Sequence, residues 1–196
     1  MSEFSWTDEG NLYSENYQDV YFNEKYGVEE TDYVFLAAND IRQRLEKQNL
    51  VIGETGFGTG LNFLVTWDAW LQHGRPHGKR LTFVTCEKHP LDKDILQKAH
   101  ERFPQFSTLS AQLRQKLPLI KSGFHFLEFE EGQVALLLMY GDAHESFKQL
   151  ESKVDAWYLD GFSPKTNPEM WNEDLYKQLA WHSHKETTLA TFTAAG

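Results

Sequence analysis

Residues 50–71 constrain the fold most. Leu50-Val51-Ile52-Gly53-Glu54 is a short apolar strand, Thr55-Gly56-Phe57-Gly58-Thr59-Gly60 is a glycine-rich turn, and Leu61-Asn62-Phe63-Leu64-Val65-Thr66-Trp67-Asp68-Ala69-Trp70-Leu71 has helical spacing. Glycines let a backbone turn sharply and approach a ligand with no Cβ in the way. Strand, loop and helix in that order form the nucleotide-type unit of a doubly wound sheet. The rest of the chain continues the alternation. Strands are expected at 81–86, 123–129, 133–140, 154–159 and 188–193, with Glu130-Glu131-Gly132 turning a hairpin. Helices are expected at 33–48, 91–102, 108–116 and 145–150, and from an Asn167 cap with Pro168 at its first position to about Trp181. Apolar strands alternating with helices predict a Rossmann-like, mostly parallel α/β sheet with helices on both faces and an added hairpin. The sheet is expected to be truncated after its fifth core strand, in a single domain of residues 1–196. Residues 1–48 would be an N-terminal extension and helix, and 49–196 the α/β core.

Ligands of such sheets sit outside the carboxyl ends of the strands. There the chain places acids: Glu54, Glu87, Asp142 next to its strand, and Asp160. A dinucleotide loop requires Gly-x-Gly-x-x-Gly, but counting from Gly56 the third position is Leu61, and the third glycine is Gly60. Glu54 would also repel a pyrophosphate. A ligand with a sulfonium and an amino-acid tail, S-adenosyl-L-methionine, suits Glu54, Gly56, Phe57, Gly58 and Gly60 better than a dinucleotide does. A plain strand-to-helix turn stays open. Glu87 can accept both ribose hydroxyls, with Lys88 beside it in the same cofactor-binding group; the alternative is a solvated Glu87 paired with Lys88. Asp142 fits either the adenine amino group or an ordinary helix cap.

Charge sharpens this reading. Asp and Glu number 29 against 19 Lys and Arg, a formal net charge of −10. Affinity for nucleic acid comes from basic residues releasing counterions. An RNA substrate would therefore be held weakly by this chain alone. The single cysteine, Cys86, excludes an internal disulfide and reads as a small buried group. No metal site is expected, and His182-Ser183-His184 reads as solvated side chains. The N-terminus carries no secretory pattern and no run is long enough to span a bilayer, so the expected location is the cytoplasm. Trp67 and Trp70 read as packing, and Glu128, Glu130 and Glu131 as an acidic tip.

Several longer stretches resemble a known family. They are Asp19-Val20-Tyr21-Phe22, Glu29-Glu30-Thr31 with Tyr33-Val34-Phe35-Leu36, Glu54 through Phe63, Asp155-Ala156-Trp157-Tyr158-Leu159-Asp160-Gly161-Phe162-Ser163-Pro164, Asn167-Pro168-Glu169-Met170-Trp171 and Leu189-Ala190-Thr191-Phe192-Thr193. Together they resemble the methyltransferase domain of the bifunctional MnmC family, which makes 5-methylaminomethyl-2-thiouridine in bacterial tRNA. The resemblance implies methyl transfer from S-adenosyl-L-methionine to the primary amine of 5-aminomethyl-2-thiouridine at the wobble position. It implies an FAD-dependent oxidase domain or partner, with no FAD bound by this chain.

By that resemblance Asp160 is the catalytic residue. A protonated amine has no lone pair to offer. A carboxylate can accept its N–H bonds, aim the nitrogen and stabilise the cation that forms. Phe162 could stack on the flipped base, Pro164 stiffens the turn, and Trp171 would line the same substrate pocket. For Asp160 a strand-end cap, and for Phe162 and Trp171 plain packing, remain open. Two further readings stand beside this one: another adenosylmethionine-type amine transferase (small-molecule N-methyl or aminopropyl), and a non-catalytic cofactor-binding module.

Overall fold

The computed structural model describes residues 4–73 and 78–192. The expected break at Gly74-Arg75-Pro76-His77 and the end of the last strand at Thr193 lie outside them. A small antiparallel sheet comes first, β1 (Phe4–Trp6), β2 (Leu12–Ser14) and β3 (Asp19–Val20), in the order β1-β2-β3. Then come α1 (Gly27–Thr31), a wide π-helical turn Asp32–Ala37, and α2 (Ile41–Lys47). The continuous helix expected over 33–48 is thus broken. Asp40 adopts φ 52°, left-handed backbone that Asp tolerates better than most residues. The wide turn puts both Phe35 and Leu36 into the core.

The main sheet comprises β4 (Leu50–Glu54), β5 (Leu81–Glu87), β6 (Gly123–Phe129), β7 (Val134–Tyr140), β8 (Val154–Leu159) and β9 (Ser183–Thr191). Its order is β6-β7-β5-β4-β8-β9. Every pairing is parallel except β6 with β7, the expected hairpin. The helices are α3 (Leu61–Gln72), α4 (Lys93–His100), α5 (Ser107–Lys116), α6 (Ala143–Lys148) and α7 (Glu173–His182). From β4 the chain builds outward through β5 to β7, then returns to β8 on the other side. The switch point, where such sheets bind ligands, is therefore the crevice between the ends of β4 and β8.

Two cores fill the faces of the sheet. One gathers Phe63, Trp67, Trp70 and Phe83 under α3, and the other Phe147, Trp157, Leu175 and Leu179 under α6 and α7. Each fully buried Trp removes ~200 Å² from water and is worth several kcal/mol. Gly53 leaves room for this packing, since a Cβ there would sit 2.3 Å from the Trp157 ring.

Three expectations fail locally. Asn167 does not cap a helix. Asn167 and Met170 close turns on Ser163 and Asn167, and α7 starts at Glu173, where Asn172 Oδ1 accepts from the N–H groups of Asp174 and Leu175. His182 is buried rather than solvated, with its ring nitrogens 3.0 Å from Ser152 O and 2.8 Å from Phe147 O. β9 also begins at Ser183, earlier than expected. Among the described residues no helix is long and apolar enough to cross a membrane, and no His, Cys, Asp and Glu cluster could hold a metal ion.

Candidate active site

A cavity of about 580 Å³ opens at the switch point, a size suited to a nucleoside-sized ligand. One wall is the glycine loop, including Gly56, Phe57 and Gly58. Against it, joined by the Thr55 hydroxyl donating to Asp160 O, stand Asp160, Gly161 and Phe162, and Glu87, Lys88 and Asp142 also line the cavity. Residues from Tyr17 to Asn23, together with Glu30 and Thr31, close it from the N-terminal side.

The loop folds as it does because its backbone is used. Phe57 N–H donates to Cys86 O and Gly58 N–H to Glu87 Oε2, at 2.9 and 2.8 Å. Gly58 has φ 52° and Gly60 φ 78°, the region that favours glycine. Gly60 does not line the cavity; it starts α3, and a Cβ there would meet the Phe57 ring at 2.7 Å. Gly56 brings the two loops together, since its Cβ position lies 3.4 Å from Asp160 O. Behind the loop, His100 Nε2 lies 2.8 Å from Thr59 O and Arg114 sits 2.7 Å from His100 Nδ1. Burial lowers the His100 pKa to about 4. The neutral ring therefore donates to Thr59 O and accepts from Arg114.

Asn62, in the first turn of α3, organises the acids. Its Nδ2 donates to Glu54 Oε1 at 2.9 Å and to Asp160 Oδ2 at 2.6 Å, while Oδ1 accepts from the Thr31 hydroxyl at 2.8 Å. Both N–H donors and the oxygen of the amide are thus engaged, fixing its orientation. Asp160 Oδ1 also accepts from Gly161 N–H at 2.8 Å. Each carboxylate oxygen retains capacity to accept from a guest. Burial pushes the Asp160 carboxyl up, against the lowering effect of Asn62 and Gly161.

Glu54 has a different place from the one expected. It is 1% exposed, does not line the cavity, and gives both oxygens to Asn62 and to the Thr85 hydroxyl (2.7 Å to Oε2). Its contact with a cofactor would run through Asn62. Burial raises its pKa to about 8. An acid raised on folding gives full stability below the ordinary carboxylate range. That stability is lost as the pH rises through this range to about 8. Urea midpoints of the wild type should therefore fall between pH 5 and pH 8. Glu54→Gln should recover on the order of 3–5 kcal/mol of that loss. An unchanged slope in the variant refutes the assignment.

Glu87 faces the cavity as expected. It is not paired with Lys88: its Oε1 accepts from His89 N–H at 2.7 Å and its Oε2 from Gly58 N–H. Burial nevertheless raises its carboxyl. Lys88 Nζ instead lies 3.3 Å from Asp142 Oδ2. Asp142 is both cavity lining and helix cap, accepting from His144 N–H. Burial pushes its carboxyl up, but the His144 and Lys88 contacts prevail and hold it below the ordinary value.

The substrate side is only partly as expected. Phe162 lines the cavity, but Tyr17 already stacks on it at 4.4 Å between ring centroids, and Tyr21 meets it edge-on at 5.0 Å. The Phe162 face stacked on Tyr17 is closed to a base. Pro164 is exposed and Trp171 half-buried, and neither lines the cavity. Trp171 Nε1 donates to Phe162 O at 2.7 Å, so it braces the loop from behind. Cavity residues to which the sequence assigned no ligand-binding role include Tyr17, His89, Glu30, Asn62 and Asn167. Tyr17 OH lies 2.9 Å from His89 Nε2, clasping the N-terminal segment to the loop after β5. A polar Asn62 in an otherwise apolar first helical turn was the one visible signal.

The sequence family described as an S-adenosyl-L-methionine-dependent methyltransferase matches residues 104–196. The chain is 45% identical over 195 residues to the tRNA 5-methylaminomethyl-2-thiouridine biosynthesis bifunctional protein MnmC of Marinomonas sp. (strain MWYL1), an alignment covering 98% of this chain and 29% of that protein. Proteins of the same name from Pseudomonas entomophila (strain L48) and Ectopseudomonas mendocina (strain ymp) are 43% and 46% identical over the whole chain, which covers 30% of each. The chain therefore spans about 30% of the length of the curated relatives it matches. The crystal structure of MNMC2 from Aquifex aeolicus superposes with a TM-score of 0.78 at 22% identity, covering 98% of this chain and 60% of that one. That likeness shows a shared Rossmann-like fold. By descent the chain is a homologue, along its whole length, of one stretch of the MnmC proteins, with the S-adenosyl-L-methionine-dependent methyltransferase family matched over residues 104–196.

Proposed function

We propose that residues 1–196 are a single methyltransferase domain that N-methylates 5-aminomethyl-2-thiouridine at the tRNA wobble position, giving 5-methylaminomethyl-2-thiouridine. The observation that carries this reading is the acidic ring of the switch-point cavity: Glu87, Asp142, Asp160 and Glu30 all line it. Lys88, the lysine of that wall, is already paired with Asp142. Such a wall suits cationic guests and disfavours phosphate-bearing ones. S-Adenosyl-L-methionine would sit with its ribose hydroxyls toward Glu87, its adenine toward Asp142 and its amino-acid end toward the glycine loop at Gly56 and Gly58. When bound, it supplies a methyl carbon activated by a positive sulfur.

The chain's own groups do the rest by positioning. Asp160, fixed by Asn62 and Gly161, accepts N–H bonds from the acceptor amine, aims the nitrogen and stabilises the charge that develops there. Phe162, backed by Tyr17, offers one ring face to the base. The relatives' name includes tRNA biosynthesis and bifunctionality, which supports tRNA as substrate and an FAD-dependent oxidase domain or partner beside this one. The setting we infer is the cytoplasm. An acidic chain should hold tRNA weakly and with little help from low salt.

The test is methyl transfer from labelled cofactor to tRNA that carries the aminomethyl group. We expect label on the wobble nucleoside and none on fully modified tRNA. Calorimetric binding of the cofactor without turnover on that tRNA would remove the substrate assignment. Turnover on free polyamines instead would favour a small-molecule amine transferase.

A further inference from the structure

We propose that Glu30 is a second catalytic carboxylate, the one that takes the proton from the acceptor ammonium and passes it to water. This rests on the amine-methylating reading above. Glu30 lies on α1 and lines the same cavity as Asp160. Its neighbour Thr31 is tied through Asn62 to Asp160, so α1 is held rigidly against the acidic wall. Among the described residues the Glu30 carboxylate accepts no hydrogen bond and joins no ion pair; only the backbone N–H is engaged, by Tyr26 O. The charged groups that act on it are Glu29, on its own helix, and Asp160, at the end of β8; both are acids. The cavity's other Asp, Glu, Lys and His side chains (Asp19, Glu87, Lys88, His89 and Asp142) all have partners of their own. A side chain with only like charges beside it, in a cavity open to a guest, is the place for a cation.

The two acids divide the work by their surroundings. Asp160 is fixed by two donors, which suits holding a nitrogen in place. Glu30 is half-buried and held by none, so it can turn between guest and solvent. Burial, then Glu29 and Asp160, push its carboxyl up, which brings it nearer to the basicity an ammonium requires. In the step, one N–H bond of the primary ammonium breaks and its electron pair stays on nitrogen. The proton goes to a Glu30 carboxylate oxygen and from there to bulk water, restoring the carboxylate. The freed lone pair would then form the N–CH3 bond as the S–CH3 bond breaks with its electron pair going to sulfur, and the methylated acceptor leaves as a secondary ammonium.

The experiment compares the full chain with Glu30→Gln and Glu30→Asp. It follows single-turnover methylation of aminomethyl-carrying tRNA from pH 6.5 to pH 9.5, with cofactor affinity by calorimetry and thermal midpoint as controls. For Glu30→Gln we expect a loss of about 100-fold at pH 7 that shrinks at least tenfold by pH 9.5, where solvent deprotonates the amine. Cofactor affinity should stay within about threefold, and Glu30→Asp should recover much of the rate. A loss of the same size at every pH, or a rate equal to wild type, overturns the inference while leaving the methyltransferase reading intact. A wild-type chain that leaves this tRNA unmethylated overturns the substrate reading and this inference together.

Discussion

Replacing Asp160 with alanine should lower methyl transfer by about a thousandfold or more while cofactor affinity stays within about tenfold. The asymmetry follows from the geometry. Asp160 stands on the wall where the nitrogen must be aimed, and its two oxygens are already oriented by Asn62 and Gly161. An interaction of that kind is felt most when charge develops on the acceptor, so it appears in kcat rather than in cofactor binding. Alanine also frees one Asn62 N–H, which costs ~1–3 kcal/mol of stability. The thermal midpoint should therefore be read alongside the rate. Single-turnover kinetics with labelled cofactor, and calorimetry on the same preparation, separate the two effects. Equal losses of rate and of cofactor affinity would show that Asp160 holds the cofactor rather than the acceptor.

The second large effect is expected at Gly58. Valine there meets two obstacles at once. The backbone holds φ 52°, where a β-branched residue is strained, and a Cβ would lie 3.3 Å from the Tyr21 ring. Relief would pull Gly58 N–H away from Glu87 Oε2. That would release the carboxylate assigned to the ribose. Cofactor affinity should fall by at least about 100-fold, about 2.7 kcal/mol. Gly58 itself belongs to neither core, so the fold should survive. Equilibrium dialysis reads the affinity directly. Undiminished binding would mean that the ligand does not approach this turn.

The main sheet was legible because its signals are local. Apolar runs such as Val134–Tyr140 and the strand–glycine loop–helix unit declare themselves within a dozen residues. The acid at each strand tip followed from the rule for open parallel sheets. What escaped depends on contacts distant in sequence. The roles of Tyr17 and Glu30 exist only because the N-terminal segment folds back over the crevice. Glu54 was placed against the ligand because it ends a strand, but burial and the donors Asn62 and Thr85 claim both its oxygens. Trp171 was expected in the pocket, yet its indole N–H is drawn to Phe162 O, behind the wall. Asn167-Pro168 carries a good local capping pattern. The turn closed on Ser163 took precedence, and the cap moved to Asn172. His182 looked solvated because two backbone carbonyls from other segments cannot be seen in a sequence.

The clasp between Tyr17 and His89, with Tyr17 stacked on Phe162, has a thermodynamic consequence. Three stretches far apart along the polymer line one cavity. No partly folded form that lacks any of them offers the complete binding surface. Occupancy therefore opposes local opening of any one of them as well as global unfolding. At a hundred times its dissociation constant a ligand adds about 2.7 kcal/mol to the global unfolding equilibrium. For a domain of this size such a gain is a sizeable share of its total margin, so the concentration of the small molecule in the cell also sets how long the polypeptide persists.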